Sequence, residues 1–205
     1  MTEANLHQDT EGKILGAAKK VFEQKGMDGA RMQEIANEAG INKAMLHYYY
    51  RNKQKLFEAV FRSAFSLLAP ELNKILNDDS SIEEKVKSFT HNYISFIKKH
   101  PYLPNFVIQE SNRNPEFFKK MQQINGFPSL DNFKKQVELE VAQGVLRPID
   151  AEQLFLSIIS LSIFPFVASP LIKGFLKLED KGFEQLMENR KTAVSDLIIH
   201  SIKKI

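Results

Sequence analysis

Along most of the chain, apolar side chains return every three to four positions, the spacing that lines one face of an α-helix. Ile14, Ala18, Val21 and Phe22 make the first such face, and Lys25-Gly26 gives it a stop. Met32, Ile35, Ala36 and Ala39 make a second, short face that ends at Gly40, and Ile41 to Tyr50 form a third short segment. A longer helix starts at Lys53 and carries Phe57, Val60, Phe61, Ala64 and Leu68 on one side. Asn77-Asp78-Asp79-Ser80 breaks the pattern, and Ser81 with Glu84 forms a capping-box pair. The helix that follows presents Ile82, Val86, Phe89, Tyr93, Phe96 and Ile97 until His100-Pro101 stops it. Further breaks fall at Asn114-Pro115, Gly126-Phe127-Pro128 and Gly144 to Pro148, and Asp150 to Gln153 reads as a helix start. No stretch alternates with period two over a strand's length. The pattern predicts an all-α protein of about nine helices.

One stretch admits two readings. Leu154 to Ile172 is 19 residues without a charge, long enough to count as a candidate membrane span. Its four serines, Pro165 and Pro170 lower its hydrophobicity and interrupt it, and no basic cluster follows directly to set an orientation. A buried helix fits better, and no membrane partner is expected. Met1 to Thr10 is polar and does not resemble a signal peptide. The chain has no cysteine, which excludes disulfides and thiolate metal sites and agrees with a cytoplasmic setting.

The net charge of +3 says little, but its distribution says more. No acidic residue lies between Glu38 and Glu58, whereas Lys43, His47, Arg51, Lys53 and Lys55 do. Such a run serves either as a phosphate-binding surface or as an ordinary solvated helix face. The segment Arg31 to Tyr50 adds geometry. A short amphipathic helix ends at Gly40, which suits the left-handed turn of a helix end. Ile41 packs under that turn, and Asn42 caps the next helix. This is the helix-turn-helix arrangement, in which the second helix enters the major groove of DNA. The same pattern also occurs in proteins that never touch DNA.

The stretch from Ile14 to Val60 resembles the DNA-binding region of the tetracycline-repressor family. The matching residues are Ile14-Leu15-x-Ala17-Ala18, Val21-Phe22, Lys25-Gly26, Ile35-Ala36-x-x-Ala39-Gly40-Ile41, Lys43, Leu46, Tyr49-Tyr50, Lys53 and Leu56-Phe57. The resemblance implies an N-terminal three-helix DNA-binding domain, residues 1–55, and a helical ligand-binding and dimerisation domain, residues 56–205. It implies a regulator without enzymatic activity or cofactor, most often a repressor. As a homodimer it would bind a palindromic double-stranded DNA operator, and a small molecule would release it. By resemblance, Lys43 sits at the start of the recognition helix near phosphate or a base edge, Ala44, Met45 and His47 face the groove, and Tyr48, Tyr49 and Lys53 reach the sugar–phosphate backbone. Arg31 and Gln33 lie near the backbone or the groove edge, and Leu46 and Tyr50 point inward. The sequence departs from the family in having Ala30-Arg31 where a serine or threonine often precedes the second helix, and His47 in place of the usual groove-facing tyrosine.

The same resemblance places dimer contacts on the last two long helices, for which Leu154, Ile158, Leu161, Leu186, Val194, Leu197 and Ile198 are the candidates. Packing within one chain is the alternative for each. Sixteen phenylalanines are many for 205 residues. Phe89, Tyr93, Phe96, Phe106, Phe127 and Phe133, with Asn92 and Gln109 among them, suit the lining of a cavity for an apolar or aromatic effector. Phe117 and Phe118 belong to the same cluster. An ordinary aromatic core is the competing reading. The five histidines are widely spaced and none has a metal-binding partner at helical spacing, so neither a metal site nor a catalytic set is expected. A helical dimeric binding module without DNA affinity is the alternative function. The presence of Lys43, Tyr49 and Lys53 argues against it.

Overall fold

The computed structural model describes residues 3–113, 116, 119, 122–123 and 127–204, without the side chains of residues 3–8, 106, 109–111 and 113. Within them the chain forms ten helices and no strand. These are α1 (Glu3–Gly29), α2 (Met32–Glu38), α3 (Lys43–Tyr49), α4 (Lys53–Asn77) and α5 (Ile82–Lys99), then α6 (Leu103–Arg113), α7 (Asp131–Ala142), α8 (Ala151–Val167), α9 (Ser169–Leu176) and α10 (Asp180–Ile202). The expected breaks at Asn114-Pro115 and Gly126, and Phe117 and Phe118, lie outside the described residues.

Local chemistry sets most helix ends. Gly26 has φ 65°, which breaks α1 one turn before its end. Ser81 and Glu84 form the capping box foreseen at the start of α5, with Ser81 N–H donating to Glu84 Oε2 at 3.0 Å and Glu84 N–H to Ser81 Oγ at 3.3 Å. Asp150 caps α8 by accepting from Gln153 N–H at 2.8 Å. The end of α4 is held from a distance. Lys85 of α5 is buried and donates to the Ile75 and Asp78 carbonyls and to the Asp78 carboxylate, which satisfies both its own charge and the helix end.

Two large clusters and a smaller one make the core. The first joins α1, α2 and α3 through Ile14, Phe22, Ile35, Leu46 and Tyr50, and continues along α4 to Ala64 and on to Leu103 of α6. The second lies among α4, α5, α7, α8 and α10 around Phe89, Phe133, Leu154, Ile158, Val194 and Ile198. The third holds Ile94, Ile97, Phe166, Phe183 and Met187. The boundary expected between residues 55 and 56 falls inside the first turn of α4 rather than in a loop. Short helices such as α2 and α3 are not stable alone, and the cluster that stabilises them is completed by α4 and α6. The uncharged stretch divides between α8 and α9, which meet at 76°. Among the described residues no single helix is long and apolar enough to cross a membrane.

Candidate nucleic-acid interface

The turn between α2 and α3 is built by two glycine-dependent bonds. Gly40 N–H donates to Asn37 O at 3.1 Å and Ile41 N–H to Ala36 O at 3.0 Å, the Schellman pairing, with Gly40 at φ 67°. Asn42 Oδ1 then accepts from Met45 N–H at 2.7 Å and starts α3. Arg31 cannot cap α2 with its side chain, and instead its backbone N–H donates to Glu34 Oε2 at 3.4 Å. Leu46 is fully buried and Tyr50 nearly so, both inward as expected, and Tyr50 Oη donates to Glu11 Oε1 at 2.8 Å.

With those two side chains inward, α3 turns Lys43, Ala44, Met45, His47 and Tyr48 to the outside, and all five are exposed. Tyr48 is 76% exposed and packs edge-on to Tyr49 at 5.6 Å between ring centres, while Tyr49 is half-buried against the core. Gln33 and Arg31 are exposed on the α2 side, with Gln33 Nε2 donating to Asn37 Oδ1 at 2.9 Å. The acids of α2 are drawn back toward α1, where Lys20 holds Glu38 at 2.6 Å and Lys25 holds Glu34 at 3.0 Å. The bond from Lys25 keeps the Glu34 carboxyl below the usual carboxylate range. Lys43 and Arg51 have no ion-pair partner among the described residues. Arg51 belongs to the basic run but not to the residues that the resemblance implies.

Lys53 has a structural role besides the phosphate contact that the resemblance implies. Its Nζ donates to the Ala30 carbonyl at 2.9 Å and the Asp28 carbonyl at 3.3 Å, so its ammonium closes the broken end of α1 and has one hydrogen left for a phosphate.

An apolar cavity of about 100 Å³ lies among α4, α5, α6 and α8. Phe61, Phe65, Tyr93, Phe96, Ile97, Leu103, Pro104, Val107 and Ile163 line it, and Tyr93 carries the one polar side chain among these described residues. Burial pushes the Tyr93 phenol up to about 12, which leaves it an uncharged donor. Of the expected lining residues, Tyr93 and Phe96 border this cavity. Phe89 and Phe133 do not: they are buried in the second cluster, because α5 and α7 turn their most apolar faces to α8. Asn92 instead lines a polar groove with Glu71, Lys74, Lys87 and His91. Phe127 packs on Phe65 at 5.9 Å, beside the cavity. The side chains of Phe106 and Gln109 lie outside the described residues. The α4 and α6 contributions were missed because their residues also fit a plain amphipathic helix.

The dimer candidates sort the same way. Leu154, Ile158, Val194 and Ile198 are core, at 3% exposure or less, since α8 and α10 pack on each other and on α5 through them. Leu197 is 59% exposed, and Leu161 and Leu186 are half-buried. Leu156 and Phe164, exposed at 57% and 55%, share one stripe of α8 and were not foreseen.

Residues 14–60 match the family described as bacterial regulatory proteins, tetR family, and residues 83–198 match the tetracyclin repressor-like C-terminal domain. The chain belongs to this family of helix-turn-helix transcriptional regulators. It is 24% identical to the HTH-type transcriptional repressor NicS of Pseudomonas putida over 198 residues, covering 95% of this chain and 93% of that one. It is 25% identical to the HTH-type transcriptional regulator RutR of Escherichia coli, over 93% of this chain and 89% of that one. The fold is also that of HlyIIR, a hemolysin II transcriptional regulator, with a TM-score of 0.61 at 23% identity over 97% of this chain and 99% of that one.

Proposed function

We propose that the protein is a cytoplasmic, ligand-responsive repressor that binds a palindromic operator as a homodimer and is released by a small apolar or aromatic molecule. The outward face of α3 carries the reading. It presents Lys43, Ala44, Met45, His47 and Tyr48, with Arg51 beyond, while the nearby carboxylates are held by lysines of α1. Such a face attracts phosphate and leaves side chains free for base edges. A helix of seven residues makes few contacts, so specificity needs two copies about 34–36 Å apart. The exposed stripe of Leu156 and Phe164 on α8, with Leu197 on α10, suits the contact between copies.

The cavity supports the ligand response. An apolar cavity of about 150 Å³ holds a benzene ring; this one, at about 100 Å³, is smaller, so an uncharged ligand of one ring enters only as the lining moves apart. Phe61 and Phe65 of its lining sit on α4, a turn or two beyond Phe57, whose ring meets Phe22 of α1 at 4.6 Å. A ligand that favours a shifted α4 changes the spacing of the two α3 helices, and so lowers the population able to bind DNA. The repressor among the relatives supports the sign of the regulation.

The test is binding of the purified protein to the DNA upstream of its own gene at two salt concentrations, with and without Tyr49→Ala. Tight binding that falls steeply with salt and with the substitution is expected. No binding there or to random-sequence duplexes overturns the reading.

A further inference from the structure

His47 is the groove-facing side chain whose hydrogen-bonding polarity the backbone sets. Its Nδ1 lies 3.1 Å from the carbonyl oxygen of Arg51. A carbonyl oxygen only accepts, so Nδ1 carries the hydrogen. In the uncharged ring Nε2 is then a bare acceptor. It sits across the ring from that carbonyl, on an exposed side chain, and no carboxylate is bonded to the ring among the described residues.

A bare acceptor has nothing to exchange directly with a phosphate, which also only accepts. This separates His47 from Lys43 and Arg51, which are donors only. In the major groove the donors are the N6 amino group of adenine and the N4 amino group of cytosine, whereas guanine and thymine offer acceptors at O6, N7 and O4. Resting on the reading of α3 as the recognition helix, we propose that His47 is a specificity-determining residue that accepts a hydrogen bond from adenine or cytosine at one position of each half-site and discriminates against guanine and thymine there. The Arg51 carbonyl positions it by holding the tautomer.

Two measurements test this on the full chain. Nitrogen-15 correlation spectra of the histidine rings in the free protein report the tautomer of His47, assigned by loss of its signals in His47→Ala. Hydrogen on Nδ1 is expected, and hydrogen on Nε2 overturns the proposal whether or not DNA binds. Selection from random-sequence duplexes, followed by competition with every single-base variant of the selected site, reports the preference. Adenine or cytosine should be favoured at one position per half-site by about three- to tenfold, the worth of one hydrogen bond. His47→Ala should flatten that position alone, and His47→Arg, a donor only, should turn it to guanine. A wild-type preference for guanine or thymine at the His47-dependent position overturns the proposal, as does a His47→Ala profile unchanged at every position. Failure of the wild type to select any duplex instead overturns the regulator reading on which it rests.

Discussion

The N-terminal helices and the body above them bury their side chains by different logic. In α2 and α3 each helix is seven residues long, begins at a polar cap and has one narrow apolar side, so Ile35, Ala36 and Leu46 have only one way to face. Of the rest, Met32 and Tyr49 pack partly on the core, Glu34 and Glu38 turn back to lysines of α1, and Lys43, Ala44, Met45, His47 and Tyr48 stay exposed. In α8 apolar side chains surround the helix. Leu154 and Ile158 are core, while Leu156 and Phe164 are exposed on the same element. The exposed surface at one end of the molecule is therefore what a short helix cannot bury. At the other end it depends on which of several equivalent apolar faces a neighbour happens to cover.

The comparison breaks first if the two regions are separate folding units. Phe57 packs against Phe22 of α1 and Tyr102 beyond α5, at 4.6 and 5.8 Å between ring centres, so it belongs to both. Phe57→Ala should cost about 3–5 kcal/mol, and calorimetry should still show one transition, moved to lower temperature. Two resolved transitions would separate the regions.

A smaller effect sharpens the same junction. His100, in the turn between α5 and α6, is buried, meets the Phe96 ring at 4.6 Å and a 44° tilt, and has an Nδ1 without a hydrogen-bond partner among the described residues. Burial, with Lys19 and Lys99 nearby, lowers its pKa to about 4. An unfolded histidine titrates near 6.5. Between those values the unfolded chain takes up a proton that the folded one refuses, so stability falls as the pH drops through this window. The loss reaches about 3 kcal/mol at most. Urea unfolding at pH 7 and pH 4.5 should show a smaller loss in His100→Phe than in the wild type, and equal losses would remove His100 from the account.

The smallest change in stability belongs to the exposed stripe. Leu197→Asp should alter unfolding by no more than about 0.5 kcal/mol, yet convert a dimer to a monomer in sedimentation and weaken DNA binding. Ile198→Asp, one residue along but 3% exposed, should unfold the chain. A Leu197→Asp protein that remains dimeric would place the contact elsewhere.

Much of this was legible in the sequence because it is local. The turn at Gly40, the cap at Asn42, the capping box at Ser81 and Glu84 and the stop at His100 depend on residues within one turn of each other. The inward pair Leu46 and Tyr50 is what the family resemblance implies, and the all-helical class follows from helical spacing. What tertiary structure decided involves residues far apart in the chain. Lys53 bonds to the carbonyls of Asp28 and Ala30, more than twenty residues before it. Phe89 and Phe133 went to the core while Phe61 and Val107 went to the cavity, because facing helices cover some apolar positions and leave a gap beside others. Periodicity reports that a side chain is apolar and which helix carries it; the partner that removes it from water is set only when the helices pack.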